Sequence, residues 1–252
     1  MKKLIALLLA VVMVCSFAAC AKTPAAPSTE ATTPSTEAPT ESTGTEVKVM
    51  TYEEYMAAEL KSVVTVETYV QGKQSWWDNK ATIYTQAEDG AYFLYEMPCT
   101  EELYNKLTVG TKIRVTGIKA EWDGEIEITS DPVQPAVVEI IEGTWVATAT
   151  DVTAQLGTDD LIKHQNKLVS FKGLTIEKIS YKNDEPGDDI YVDFTKDGKT
   201  YSFCVERYLT GPDTEVYKAI GDLKVGDVVD VEGFLYWWQG PNTHITSIKP
   251  AA

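Results

Sequence analysis

An internal repeat of domain size is the feature that most constrains how this chain can fold. Leu107-Thr-Val-Gly110 reappears as Leu223-Lys-Val-Gly226, and further identities follow at the same spacing in both copies. The matched pairs are Val115 and Val231, Gly117 and Gly233, Trp122 and Trp238, and Gly124 and Gly240. Because this period is much longer than that of solenoid repeats, it predicts two homologous domains.

Residue patterns within each copy predict three strands, a short helix and two further strands. In the first copy the predicted strands are 63–70, 81–85, 92–95, 112–119 and 125–128, and Thr100 caps a helix at 101–106. In the second copy they are 168–179, 190–194, 201–205, 228–237 and 244–248, and Pro212 lies in the first turn of a helix that reaches Ile220. A capping box at Thr51 and Glu54 predicts a helix at 52–60, and Asp159-Asp160 predicts a shorter one before the second copy.

The element order and the Leu-x-Val-Gly motif resemble the OB-fold. Five strands with the helix between the third and fourth is the OB-fold order, and the motif with its later Val-x-Gly resembles the fourth strand of bacterial OB-fold domains. The resemblance covers about residues 50–252. It implies a chain dominated by β-strands, with two tandem five-stranded barrels at 47–149 and 150–252. It also implies that the Val-Gly turn begins the fourth strand and that the next glycine lets the barrel bend.

The N-terminus is typical of a bacterial secretory signal. Lys2 and Lys3 precede an apolar stretch at 4–19, which is too short for a comfortable membrane span. Phe17-Ala-Ala-Cys20 resembles the lipobox of bacterial lipoproteins, although phenylalanine stands where leucine is commonest. The resemblance implies removal of residues 1–19 and a lipid on Cys20, which anchors a Gram-positive type of surface lipoprotein outside the cytoplasm. The alternative is an ordinary signal peptide followed by a chance cysteine.

The segment 20–46 is rich in Thr, Ser, Pro and Glu and has no large apolar residue. Such a composition cannot bury enough surface to offset the entropy of ordering it, so we expect a disordered stalk between the anchor and the first domain.

Residues suited to catalysis or metal binding are sparse. Neither His164 nor His244 stands in a metal-ligand spacing, and no nucleophile elbow or phosphate-binding glycine loop is present. Cys99 and Cys204 occupy different repeat positions, which favours two buried thiols over a disulfide between the domains. The acidic loop at 183–189 lacks the EF-hand pattern, so a solvated loop is favoured over a calcium site. We predict a protein that is not an enzyme, with no cofactor and no metal.

Aromatic residues are the better candidates for a binding site. OB barrels bind ligands across the second and third strands, framed by the first-to-second and fourth-to-fifth loops. Large rings fall in those loops in both copies, with a lysine beside the first set; the candidates are Trp76, Trp77, Trp122 and Lys73 in copy one, and Tyr181, Trp237 and Trp238 in copy two. Flat rings there can stack on sugars or bases. For Trp122 and Trp238, packing over the hairpin of the repeat is the favoured alternative.

The charge balance restricts the class of ligand that the protein is expected to bind. A formal net charge of −16 opposes nucleic acid, since single-strand binders line their grooves with Lys and Arg. The predicted function is therefore a membrane-anchored binding module for a glycan or a protein. Two alternatives stay open: a single-stranded nucleic-acid binder, and a structural part of a surface assembly with an exposed apolar patch.

Overall fold

The structure, a computed structural model, describes residues 48–251, and β-strands dominate it. The first half contains α1 (Tyr52–Ala57), β1 (Val63–Lys73), β2 (Lys80–Gln86), β3 (Ala91–Pro98), α2 (Glu101–Lys106), β4 (Thr111–Trp122), β5 (Glu125–Thr129) and β6 (Val137–Thr144). The second half contains β7 (Thr150–Asp151), β8 (Leu168–Tyr181), β9 (Ile190–Lys196), β10 (Lys199–Val205), α3 (Glu215–Asp222), β11 (Val228–Phe234) and β12 (His244–Pro250). Short 3-10 helices lie at Thr153–Gln155, Asp159–His164 and Lys182–Asp184. The predicted signal peptide, the lipidated Cys20 and the stalk lie outside the described residues.

Each copy closes into a five-stranded barrel with the same strand order. In the first, the strands pair as β1-β2-β3-β5-β4 and β4 pairs back to β1. In the second they pair as β8-β9-β10-β12-β11 and β11 pairs back to β8. The third and fifth strands are parallel neighbours in both barrels, and the helix lies between the third and fourth strands. This is the OB-fold, so the predicted fold of two tandem barrels is confirmed.

The repeated glycines occupy positions that a side chain would disturb. Gly110 and Gly226 begin the fourth strands with φ of +89° and +94°, a left-handed conformation that suits glycine. A Cβ on Gly117 would lie 2.7 Å from the Ile128 side chain, and one on Gly233 would meet the carbonyl oxygen of His244. The fifth strand crosses the fourth closely at both glycines. The shared motif is therefore explained by backbone geometry, independent of any ligand.

The fifth strand of the first barrel is split in two. β5 pairs with the C-terminal half of β4 and β6 pairs with its N-terminal half, both antiparallel. Residues 130–136, with two prolines, separate the two pieces. In the second barrel β12 runs unbroken along β11. The sequence patterns did not indicate β6, because its exposed side chains interrupt the expected alternation.

Two predicted helix boundaries are wrong by a few residues. The helix of the second copy begins at Glu215, not at Pro212, because the Thr214 side chain accepts a hydrogen bond from the Tyr217 N–H and caps it there. The capping box at Thr51 is confirmed, but α1 ends at Ala57 instead of residue 60. Its last carbonyl groups accept hydrogen bonds from the buried ammonium of Lys119, at 2.8–3.0 Å.

The two barrels have separate apolar cores and share a third cluster between them. The shared cluster is built on the buried rings of Tyr84 on β2, Phe93 on β3 and Phe234 on β11. Leu168, Leu209 and Tyr236 of the second copy pack around these rings. Within residues 48–251, no helix combines the length and the apolar character needed to span a membrane.

Candidate binding site at the seam of the two barrels

The outer face of β2 and β3, where OB barrels commonly hold ligands, is largely covered by the second barrel. Tyr84 projects from that face and stacks on Phe234, with ring centroids 4.6 Å apart and an interplanar angle of 16°. The Tyr84 hydroxyl also shares a 2.6 Å hydrogen bond with Nδ1 of His244. The usual ligand face of the first barrel thus serves as an interface between the two copies.

Hydrogen bonds to the β4–β5 loop complete this interface. The Trp237 N–H donates to the Glu125 carboxylate at 2.8 Å, and the Gln239 N–H donates to the Asp123 carbonyl at 2.8 Å. The Trp238 indole N–H donates to the Asp123 carboxylate at 3.1 Å. The amide of Gln165 donates to the Gly124 carbonyl at 2.8 Å. These bonds join the two barrels along their contact, which we call the seam.

Three of the candidate residues in the second copy have structural contacts in this seam or in the core. Trp237 packs against the second core and covers Gly124, where an added Cβ would lie 3.0 Å from the ring. Tyr181 packs against the same core beside Tyr217, with ring centroids 6.4 Å apart. Trp238 is about half exposed, and its indole N–H donates a hydrogen bond to the Asp123 carboxylate. These three side chains are not brought together with the first-copy candidates in one pocket.

Two of the first-copy candidates, Trp76 and Trp77, line one pocket. Trp77 is 68% exposed, whereas Trp76 is half-buried and its indole N–H donates to the Cys99 carbonyl at 2.8 Å. Lys73 lies outside the pocket: its ammonium donates to the Tyr104 carbonyl and lies 3.7 Å from the centroid of the Tyr104 ring. Lys73 therefore secures the end of α2.

The pocket that contains both tryptophans, the seam pocket, has one wall from each barrel. Its volume is about 340 Å³. Its lining residues are Gln74, Ser75, Trp76, Trp77, Lys80, Thr82, Glu96 and Tyr208. The Ser75 N–H donates to the Tyr208 carbonyl at 2.8 Å and joins the two walls. Tyr208 follows β10 of the other copy and carries no motif, so sequence reasoning missed it.

A second cavity, the aromatic cage, adjoins the seam pocket at Gln74. Its volume is about 380 Å³, and it is lined by Gln74, Phe93, Tyr95, Trp122, Glu127, Tyr236 and His244. Trp122 is 63% exposed at its rim. Burial, together with the nearby charge of Glu96, raises the pKa of Glu127 to about 7. Burial lowers the pKa of His244 to about 4, so this imidazole is neutral at physiological pH.

Neither cavity offers a free cationic side chain. Lys80 is the only basic residue that lines the seam pocket, and it forms a 2.7 Å ion pair with Glu96. The aromatic cage has no basic residue other than the neutral His244. The two cavities therefore present amide and hydroxyl groups and aromatic rings to a ligand, together with the Glu127 carboxyl in the aromatic cage.

The two cysteines and the acidic loop do not line either cavity. Cys99 and Cys204 are both buried and free, and burial raises the pKa of each thiol, which suppresses the reactive thiolate. In the acidic loop, Asp189 pairs with Lys182 at 2.9 Å and Asp188 pairs with Arg207 at 3.6 Å. Among residues 48–251, no three His, Cys, Asp or Glu side chains are grouped to hold a metal ion.

Comparisons with solved structures give 39 matching chains, and the three described next are distant. A murine DNA-binding protein solved with double-stranded DNA matches over 75% of this chain and 96% of its own, at 14% identity and a TM-score of 0.37. The Ifi202 HINa domain, solved with 20-bp double-stranded DNA, matches over 76% and 100%, at 13% identity and a TM-score of 0.35. A replication protein A heterotrimer bound to single-stranded DNA matches over 74% of this chain and 49% of its own, at 10% identity and a TM-score of 0.30. No protein-family model and no curated protein matches. Because the TM-scores are this low, the OB-fold assignment rests on the strand pairing.

Proposed function

We propose that this protein is a binding module, not an enzyme, that takes a glycan in the seam pocket. The observation that carries the proposal is the pair of exposed rings, Trp77 and Tyr208, that face one pocket from the two different barrels. A sugar presents an apolar face that stacks on such rings and hydroxyl groups that need hydrogen-bond partners. Gln74, Ser75 and Thr82 supply those partners at the same place.

A second candidate ligand is a single-stranded nucleic acid. The same exposed rings on an OB barrel are suited to stacking bases. Charge opposes this ligand, since the chain carries −16 and the single lysine of the pocket is already paired with Glu96. The glycan is therefore the ligand that the pocket supports best.

Salt dependence separates the two ligands. We expect glycan affinity to stay constant between low and high salt, because stacking and neutral hydrogen bonds release no counterions. Binding of single-stranded DNA would fall steeply over the same range. A glycan array, followed by titration of the best glycan and of oligo-dT at two salt concentrations, makes the comparison. Steep salt dependence with DNA, and no glycan bound, would replace the glycan by the second candidate.

Removing a ring from the seam pocket is expected to weaken binding of the ligand. Trp77→Ala and Tyr208→Ala should each lower affinity by ~5- to 150-fold, because stacking on one ring contributes roughly 1–3 kcal/mol. Trp77→Phe should retain most of the affinity, since it keeps a ring. Trp238→Ala, which removes a half-exposed ring outside this pocket, is the control. Normal affinity in the Trp77 and Tyr208 variants, with Tm unchanged, would place the site elsewhere.

We further propose that a lipid on Cys20 holds the module at the outer surface of the cell membrane. The support is the lipobox-like Phe17-Ala-Ala-Cys20 and the Thr/Ser/Pro-rich segment that follows it. Cys20→Ser should move the protein from the membrane fraction to the soluble extracellular fraction, because the acceptor thiol is lost. Cys15→Ser is the matched control and should stay at the membrane. Retention of the Cys20→Ser protein in membranes argues against lipid anchoring.

A further inference from the structure

Glu127 is a buried acidic residue that lines the aromatic cage. Its side chain belongs to β5, and the residue is only 8% exposed. Within the described part of the chain, no hydrogen bond or ion pair holds this carboxylate, although it lines the cavity. An unpaired carboxylate in an apolar setting is costly. A positively charged ligand in the cavity removes that cost.

Aromatic rings make up much of the cavity lining around Glu127. The rings of Phe93 and Tyr236 meet edge to face, with centroids 5.2 Å apart and an interplanar angle of 70°. Tyr95 stands beside Phe93 at 6.3 Å, and Trp122 lines the rim. Phe93 is buried and Tyr236 stacks on the His244 ring, with centroids 4.5 Å apart, so the exposed rings of this lining are Tyr95 and Trp122. A cation is attracted to their faces, because each face carries negative potential.

Among residues 48–251, no group that lines the cavity supplies the missing positive charge. The His244 ring is neutral, and its Nδ1 is occupied by the Tyr84 hydroxyl. Lys80, which lines the adjoining seam pocket, forms an ion pair with Glu96. The remaining polar lining residue is Gln74, whose amide donates to the Tyr84 hydroxyl at 3.1 Å.

We propose that the aromatic cage binds a quaternary ammonium group, such as the trimethylammonium head of a choline-like ligand. The ring faces contact the methyl groups, and Glu127 opposes the charge. A primary ammonium needs acceptors for three N–H donors, whereas Glu127 is the one carboxylate in this lining and aromatic rings make up most of the rest. The site is separate from the seam pocket, so it does not depend on whether a glycan binds there.

The pH dependence of this binding is set by Glu127. The titratable groups that face it are Glu96 and Tyr95 of β3, Glu125 of β5, and Tyr236 and His244 of the second barrel. Both tyrosines and His244 are neutral from pH 6 to 8, and burial keeps Glu125 mostly protonated over most of that range. Because the pKa of Glu127 is raised to about 7, its carboxylate becomes mostly ionised between pH 6 and 8. Affinity for the cation should rise about tenfold over that interval.

The test compares choline with its neutral isostere, 3,3-dimethyl-1-butanol, by calorimetry on the full chain. We expect choline to bind at least about tenfold more tightly, since the two ligands differ only in charge. Glu127→Gln should lower choline affinity about tenfold and remove the rise with pH. Trp122→Ala should weaken choline binding several-fold, as the loss of one cation–π contact. Glu121→Gln, an exposed acid just before the β4–β5 loop, is the control and should change nothing.

Three outcomes would overturn the proposal. Equal affinity for choline and its isostere means that the cavity is only apolar. Choline binding that survives both Glu127→Gln and Trp122→Ala means that the cation binds elsewhere. Absence of choline binding at millimolar concentration, in protein with a normal Tm, means that the cage has another use.

Discussion

Glu125→Gln is expected to leave the free energy of unfolding unchanged at pH 5 and to raise it by several kcal/mol at pH 9. Glu125 is fully buried under the second barrel, and its Oε2 accepts the Trp237 N–H at 2.8 Å. Its other oxygen has no partner among the described residues. Burial raises the pKa of this carboxyl to about 8. Glutamine has the shape and neutrality of the protonated acid, so it should replace that form well.

The direction of this pH effect follows from how many protons the Glu125 carboxyl binds in the folded and unfolded states. In the unfolded chain the carboxyl titrates near 4.5, whereas the folded protein keeps the proton up to about pH 8. The stability that this acid contributes is therefore complete below pH 4.5 and is lost as the pH rises through 8. Over that interval the loss amounts to roughly 3–5 kcal/mol. The glutamine variant has no such proton to lose.

Other buried groups titrate in the same protein but cancel in the comparison. Burial also raises the pKa of Glu206 to about 7, which adds to the loss of stability at high pH. His244 acts in the opposite direction below pH 6.5, because it is buried in its neutral form. Both groups are present in the wild type and in the variant. The difference between the two proteins thus reports on Glu125 together with its coupling to Glu127, whose charge also raises the pKa of Glu125.

Urea unfolding of both proteins at pH 5, 7 and 9 measures this effect. Glu121→Gln, which removes an exposed acid nearby, should follow the wild type at every pH. If the wild-type and Glu125→Gln curves run parallel from pH 5 to 9, Glu125 is ionised in the folded protein. The seam would then be held by a charged carboxylate.

Sequence patterns were sufficient to predict the two barrels, because the signals that mark their strands, helix caps and turns are local in the chain. β-branched runs mark the strands, Thr100 caps α2 where it was predicted, and the glycines that recur in both copies fix the fourth strand. Because the second copy repeats the first, the same order of strands and helix is predicted for it. Each of these signals depends on neighbours in the chain or on one close crossing.

Local sequence signals of this kind could not predict the seam between the two barrels. Tyr84 and Phe93 alternate with core residues along β2 and β3, a pattern that fits a ligand face as well as an interface. Only the three-dimensional arrangement shows that Phe234 covers them. Glu127 and Tyr208 were missed for the same reason, since each gains its meaning from residues of the other copy.

Phe234→Ala is expected to separate the two barrels while each stays folded. The Phe234 ring is 3% exposed and stacks on Tyr84, and it also covers Gly72 of β1, where an added Cβ would lie 2.9 Å from the ring. Truncating a buried phenylalanine costs about 3–5 kcal/mol. Phe234 lies outside the core of its own barrel, so this cost should fall on the contact between the barrels.

Limited proteolysis and thermal unfolding together distinguish uncoupling from unfolding. In the Phe234→Ala protein we expect rapid cleavage in the segment between β6 and β8, with two stable fragments and two separate unfolding transitions. Phe203→Ala is the matched control, because that ring is fully buried in the second core. It should unfold the second barrel and leave no stable fragment from it. The same digest from both variants would mean that Phe234 supports its own barrel.

A double-mutant cycle that combines Phe234→Ala with Tyr84→Ala measures how much stability comes from the contact between these two rings. Tyr84 belongs to the first barrel, so its truncation should produce the same cleavage pattern from the opposite side of the seam. If the two rings stabilise each other, the double variant loses less stability than the single losses combined, by roughly 0.5–1.5 kcal/mol for an aromatic pair. Strict additivity would show that the barrels are held together by the polar bonds around Asp123 and Glu125, and that the stacked rings only fill space.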